Sequence, residues 1–290
     1  MMIQESELIL NSDGTIFHLH LKPENIANEI ILVGDQARVE EVAEFFDSIE
    51  FSTKNREFQT ITGKYKNQKF SVISTGIGTD NIDIVLNELD ALVNIDLEKR
   101  EIKKEKKSLK IVRIGTSGGL QEDLPVNSLV VSQKSIGFDG MLNFYADREK
   151  YCDLPFEKAF RQFTGWNESL PTPYVVDASK QLLSKFDSPE FKKGVTISAP
   201  GFYGPQGRVL RLPLAMPQLN KLIEQFRFDD LKITNFEMES SAIFGLSKML
   251  RHQALAVCLI IANRVLGQAN ENYRPEMKKL IKKVLDSLIK

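Results

Sequence analysis

Short apolar runs that stop at a glycine-bearing turn and give way to helical spacing constrain this chain more than any other feature. "EIILVG" leads into "QARVEEVAEFF", in which Val39, Val42, Ala43 and Phe46 recur at helical intervals. "FQTITGKYKNQKFSVISTG" reads as a hairpin turned at Lys66 and Asn67, and it feeds "NIDIVLNELDALV", with Ile82, Val85, Leu89 and Leu92 on one stripe. "KIVRIG", "SLVVSQKSIG", "KGVTIS" and "ITNFE" follow as strands, "ALAVCLIIANRVLG" as a buried one, and the final "PEMKKLIKKVLDSLIK" as an amphipathic helix. Alternation of this kind predicts an α/β fold in which helices cover both faces of a sheet. With 290 residues the chain can bury one large domain or two smaller ones, and no repeat, low-complexity tract or linker divides it.

Charge narrows the partners. Lys plus Arg number 38 against 39 Asp plus Glu, a net charge of −1, so no global field draws the chain to nucleic acid or to an anionic membrane. Any anion has to be held locally. The most apolar stretch is shorter than a membrane span and contains Arg264. Cys152 and Cys258 are too few for a disulfide framework or a cysteine zinc site, and no metal ligand set is expected. A start without a basic segment ahead of an apolar run predicts a reducing cytoplasm. One stretch departs from the average. "LEKREIKKEKKSLK", whose residues 97 to 108 form the excess, is dense in charge with no aromatic residue interleaved, which reads as a solvated insertion and not as a surface for nucleic acid.

Three strand ends carry glycine: "VGDQAR" at 33 to 38, "STGIGTDN" at 74 to 81 and "RIGTSGG" at 113 to 119. Ligands of open α/β sheets bind beyond the carboxyl ends of the strands, where glycine lets backbone amides approach an anion. Gly76-Ile77-Gly78 meets Asn81 where a dinucleotide fingerprint needs its third glycine, and no GxxxxGK is present, so these are neither Rossmann nor P-loop turns. Arginines stand beside them instead: Arg38 after Gly34, Arg113 before Gly115, and Arg56 in "NREF". Taken singly, each is a surface or salt-bridging residue. Two of them at glycine-rich strand ends form an oxyanion site, because a guanidinium grips such a group bidentately. Glu237 and Glu239 in "NFEMESSAIF" fall where a polar strand end becomes an apolar helix. On extended backbone residues at i and i+2 share a face, and on a helix they do not.

"FHLHL", "GDQAR", "NREF", "STGIG", "RIGTSGGL", "GFYGPQGR", "FEMES" and "IIANR" stand in the order and rough spacing of the nucleoside phosphorylase family, in particular its uridine-cleaving branch. The chain resembles that family from about Phe17 to the C-terminal helix. The resemblance implies a single three-layer αβα domain with a central mixed sheet over residues 1 to 290, and an active dimer assembled into a hexamer. It also implies reversible phosphorolysis, in which nucleoside and inorganic phosphate, the co-substrate, give free base and ribose 1-phosphate. No further cofactor follows from it.

Carried over residue by residue, Gly34, Arg38, Arg113 and Thr116 match the family's phosphate ligands, with Arg56 contributed across the dimer interface. His18 matches the residue that reaches from the partner subunit toward the ribose 5'-hydroxyl, while His20 stands where the family usually has glycine. Glu239 matches the acid that accepts hydrogen bonds from the 2'- and 3'-hydroxyls, Glu237 supports it, and Met238 offers the sugar an apolar surface. Phe202 matches the aromatic that packs on the base, and Gln206 with Arg208 the pair that hydrogen-bonds the uracil edge. Glu239, Arg113 and Arg208 are the expected catalytic groups, because bond breaking builds positive charge on ribose and negative charge on the departing uracil. Purine leaving groups need a proton at N7, which the purine branch supplies from an aspartate. Here Asn263 and Arg264 occupy that region, so a pyrimidine is favoured.

Departures from the family fall around the base. Gly204-Pro205 reverses the usual order, Gly207 replaces an acid, and "VLRLPLAMPQL" differs from the usual continuation. The family's monovalent-cation site would involve Glu57 and Ile77, with Asn81 in place of a serine, and such a cation stays open. The alternatives are a purine nucleoside phosphorylase, a related nucleosidase that uses water and would lack the arginines, or a non-catalytic nucleoside-binding relative.

Overall fold

The computed structural model describes residues 2–289, and its first elements follow the glycine punctuation: β1 (Glu29–Val33), α1 (Gln36–Ala43), β2 (Ser48–Asn55), β3 (Phe58–Tyr65), β4 (Gln68–Ser74) and α2 (Thr79–Asn94). A short ladder of β5 (Ile95–Asp96) and β6 (Glu101–Ile102) precedes β7 (Lys110–Gly119) and β8 (Leu129–Gly137). The second half adds α3 (Leu154–Thr164), β9 (Tyr174–Asp177), α4 (Lys180–Leu183), β10 (Phe191–Ser198), α5 (Leu219–Gln225), β11 (Arg227–Phe228) and β12 (Leu231–Glu237). It closes with α6 (Ser240–Met249), β13 (Gln253–Asn263), β14 (Gln268–Ala269) and α7 (Arg274–Leu288).

The main sheet is mixed and runs β11-β12-β10-β8-β13-β7-β1-β4-β3-β2. β1 lies parallel to β4 and β7, whereas β2, β3 and β4 form an antiparallel meander. β12 also reaches β7, pairing Asn235 with Gly119 and Phe236 with Gly118, so that β7, β13, β8, β10 and β12 close into a ring. That closure needs a residue without a side chain: a Cβ on Gly119 would lie 2.9 Å from Asn263 Nδ2 and 3.1 Å from the Leu124 carbonyl. Helices pack on the sheet in two groups, α2 with α6 and α1 with α7, which completes the three-layer αβα arrangement. The stripes read from the sequence face inward: Val39 and Val42 of α1, Ile82, Val85, Leu89 and Leu92 of α2, and Met277, Leu280, Ile281, Val284 and Leu285 of α7 are all buried. Among the described residues no helix is long and apolar enough to cross a membrane.

Three local readings change. α1 stops at Ala43, so Phe46 lies in the tightened turn beyond it, where Phe45 and Phe46 donate to the carbonyls of Val42 and Ala43. "RIGTSGG" is not a turn but the second half of β7, because β13 pairs with it in parallel from Lys110 to Gly119 and satisfies its backbone. Thr116 therefore sits within a strand and neither caps nor precedes a helix. The charged insertion exposes the side chains of residues 104–108 as expected, yet its backbone is tied down. Ile3 donates to the Arg100 carbonyl (2.7 Å), Arg100 returns a bond to the Leu8 carbonyl, and the Asn94 side chain brackets Lys107 from both its oxygen and its nitrogen. His20 takes a φ of +51°, the left-handed region that glycine enters most easily.

Candidate active site

Where β7 and β12 meet, their side chains line a cleft of about 320 Å³ bounded by the ends of β1, β13 and the segment around Phe202 to Arg208. At one end β1 gives way to Gly34 and Asp35, and Asp35 caps α1 by accepting the Arg38 amide (3.0 Å). The same carboxylate lies 3.2 Å from Arg38 Nη2, fixing a guanidinium that is buried and whose Nε has no partner. Arg113 rises from β7 beside it. Its Nη2 bonds Glu239, its Nε lies 3.3 Å from Glu237 Oε2, and its Nη1 has no partner. Burial works against charge on Arg113, but Glu239 and Glu237 outweigh it and hold the guanidinium protonated.

The two carboxylates are placed by the strand-to-helix junction. Glu237 is the last residue of β12 and Glu239 precedes α6, so the backbone between them is not helical and both reach Arg113. Their surroundings differ. Glu237 accepts the amides of Glu239 and Ser240 (3.0 Å each) and the Ser198 hydroxyl, and so is committed to the start of α6. Glu239 accepts the Gly78 amide at 2.8 Å, from a turn in which Gly76 and Gly78 hold φ of +74° and +99°. Burial raises its carboxyl above the usual range, with Arg113 opposing. Glu239, Met238, Thr116 and Ser117 all face the cleft, and the Ser117 hydroxyl has no protein partner.

At the far end, a turn at Gly204–Gln206 presents Phe202, Gln206 and Arg208 together. The Arg208 guanidinium carbon stands 3.7 Å from the centroid of the Phe202 ring, covering one of its faces, and Arg208 Nη1 donates to Gln206 Oε1 at 2.6 Å. Burial and the nearby Arg264 lower Arg208 to about 10. Arg264 itself donates to the Gln206 carbonyl, while Asn263 is turned away to the carbonyls of Gln121 (2.9 Å) and Leu124 (2.7 Å). No carboxylate stands among the residues lining this end. Behind the turn lies a second, apolar cavity of about 290 Å³, lined by Phe138, Trp166, Pro205, Gly207 and Leu219 among others.

Of the candidate residues, Gly34, Arg38, Arg113, Thr116, Phe202, Gln206, Arg208, Glu237, Met238 and Glu239 converge on the one cleft. His18 and Arg56 do not line it. His18 Nδ1 lies 2.6 Å from Glu88 Oε1, and Asn55 donates to the His18 carbonyl (2.8 Å). Arg56 is exposed in the turn between β2 and β3, with its guanidinium 5.8 Å from the Phe17 ring centroid and its carbonyl bonded by Gln36 (2.6 Å). Glu57 and Asn81 flank Gly76, where a Cβ would come 3.2 Å from Glu57 Cγ and 2.4 Å from Asn81 Nδ2. Ser117, Ile261 and Ala262 also line the cleft without having been assigned a role, and Ile77, named only for a cation, lines it as well. Each stands inside a quoted string: Ser117 in "RIGTSGGL", Ile77 in "STGIG", and Ile261 and Ala262 in "IIANR".

The family model of the Phosphorylase superfamily matches residues 29–290. A uridine phosphorylase of Thermococcus kodakarensis is 28% identical over 268 residues, covering 89% of this chain and 82% of that protein. A purine nucleoside phosphorylase of Listeria welshimeri is 26% identical over 252 residues, covering 87% and 88% respectively. The solved structure of a Trypanosoma brucei nucleoside phosphorylase, described as showing uridine phosphorylase activity, has a TM-score of 0.89 and 31% identity over 97% of this chain and 99% of that one.

Proposed function

The chain belongs to the phosphorylase superfamily, and from that membership we propose that it is a uridine phosphorylase, converting uridine and inorganic phosphate to uracil and ribose 1-phosphate. One observation carries the reading: buried guanidinium nitrogens of Arg38 and Arg113 lack protein partners in the cleft that also holds Glu239, so a cradle for an anion stands beside an acceptor for ribose hydroxyls. Phosphate held by Arg38, Arg113, Thr116 and the Gly34 backbone attacks C1' of ribose. As the new C–O bond forms, the C1'–N1 bond breaks and its electron pair passes into the uracil ring and its carbonyl oxygens. A proton from phosphate replaces the sugar at N1. Glu239 lies against the cationic ribose, and Gln206 with Arg208 against the anionic base, so each charge develops facing a preorganised opposite.

The base end favours a pyrimidine, because the Asn263 amide is engaged by two backbone carbonyls and none of the described residues lining the Phe202–Arg208 end of the cleft is an acid that could protonate a purine N7. Assembly belongs to the same proposal: Arg56 and His18 serve a neighbouring copy, the dimer is the active unit, and dimers associate into a hexamer in the cytoplasm. Their position outside their own cleft supports this. The Glu57 carboxylate and Asn81 amide, side by side at Gly76, are oxygen donors of the kind a monovalent cation takes.

Assays of base release from uridine and inosine, with and without phosphate, test the reading. Uracil is expected only with phosphate present. Equal release in phosphate-free buffer identifies a nucleosidase instead, preference for inosine a purine enzyme, and no turnover of either a binding relative.

A further inference from the structure

Behind the cleft, a line of hydroxyls joins β10 to the start of α6. Ser198, the last residue of β10, is fully buried; its hydroxyl donates to Glu237 Oε1 and accepts the Ser241 amide at 2.9 Å. The Ser241 hydroxyl donates to Asp139 Oδ2 at 3.0 Å, and the buried Tyr174 hydroxyl donates to Asp139 Oδ1 at 2.9 Å. Asp139 is held in turn by the Met141 amide (2.8 Å). The first turn of α6 is thereby tied on both sides, and Ser198 is the one side chain that connects it to the Glu237 carboxylate. Glu237 is the carboxylate that Arg113 Nε faces in an ion pair at 3.3 Å, without a hydrogen bond, and Glu239 occupies Nη2, so Nη1 is the nitrogen left with neither an ion-pair nor a hydrogen-bond partner.

We propose that Ser198 is a positioning residue for phosphate: by fixing the plane of the Glu237 carboxylate it fixes the guanidinium plane of Arg113 and aims Nη1 at the anion. The proposal rests on the phosphorylase reading of the cleft. Removing the Ser198 hydroxyl leaves Glu237 its backbone donors and its charge, so the anion site survives electrostatically. What is lost is orientation, because the carboxylate turns more freely and Arg113 follows it. Bidentate recognition of a phosphate depends on that plane, whereas uracil meets the other end of the cleft and the ribose acceptor Glu239 keeps its own anchor on the Gly78 amide.

Ser198→Ala is expected to raise the KM for phosphate about tenfold, the lower end of what loss of a supporting outer partner costs a bound ion. The KM for uridine should change by less than about threefold, and the rise in melting temperature that phosphate gives the wild type should shrink. Ser198→Cys, which fills the site with a slightly larger group that donates only weakly, should show the same selectivity and carries the test if the alanine variant does not fold. Ser132→Ala is the comparison: its hydroxyl is equally buried and bonded to Thr196 Oγ1 (2.6 Å) but does not touch Glu237, so it should lower stability and spare the phosphate KM. A phosphate KM unchanged in both Ser198 variants, or raised no more selectively than in Ser132→Ala, overturns the positioning role while the enzyme remains phosphate-dependent. Wild-type base release that needs no phosphate overturns the reading beneath it as well.

Discussion

Glu237 and Glu239 are chemically identical and two residues apart, and what separates them is which donors already occupy them. Glu239→Gln places an amide nitrogen near Arg113 or Gly78, where only donors face it, and removes the charge opposite the ribose. The expected outcome is a kcat lower by about a hundredfold with the KM for uridine nearly unchanged, read by steady-state kinetics. Arg208 meets the base, so Arg208→Ala should lower kcat/KM for uridine by about tenfold to a hundredfold while leaving any residual inosine turnover intact. Competition between the two nucleosides would expose an equal loss. Ten of the candidate residues were legible as neighbours in one cleft because the chemistry proposed for it demands particular side chains in recognisable strings. Ser198 was not, since its partner Glu237 is 39 residues away and meets it only once β10 and β12 lie side by side.

Elements were legible wherever one face is apolar, as in α2 and α7. β7 was misread for a physical reason: Gly115, Gly118 and Gly119 look like turn residues until β13 and β12 are present to pair with the backbone, and at Gly119 alone neighbouring groups crowd out a side chain. The hairpin of β3 and β4 was placed correctly, and its turn reaches α7 through an ion pair no periodicity foretells. Tyr65 and Lys66 both bond Asp286, at 2.8 and 2.6 Å, beside Lys282 at 2.6 Å. Lys282, Lys66 and Tyr65 hold the Asp286 carboxyl well below the usual range, so its contribution is present above about pH 4 and is lost as the pH falls below that. Asp286→Asn should therefore cost roughly 0.5–1 kcal/mol near neutral pH, a cost that begins to shrink below about pH 4 and is smaller but not gone at about pH 3, because the folded-state carboxyl titrates well below that. Urea unfolding at the two pH values measures it, and a pH-independent cost would exclude the charge as its origin.

At the scale of the molecule, the alternation of strands and helices announced the α/β class, but nothing in it announced the ring that brings Arg113 on β7 against Glu237 on β12. The ring gathers Arg113, Thr116 and Glu237 at one place in the sheet, while Arg56 and His18 stay outside the cleft on the β2 side. The smallest active species is accordingly expected to be a dimer. Specific activity should fall in step with dissociation when dilution series are followed by sedimentation and assay together, and a fully active monomer would refute the shared site. The turn that carries Gln206 on its cleft side has the apolar cavity on its other side, and Trp166, the only tryptophan in the chain, stands in that cavity 4.7 Å from the Phe138 ring. Intrinsic emission from this protein is thus a single-position signal located at the back of the base turn. A nucleobase that shifts the turn alters the indole's surroundings, and occupancy can be followed optically on unlabelled protein before any glycosidic bond is broken.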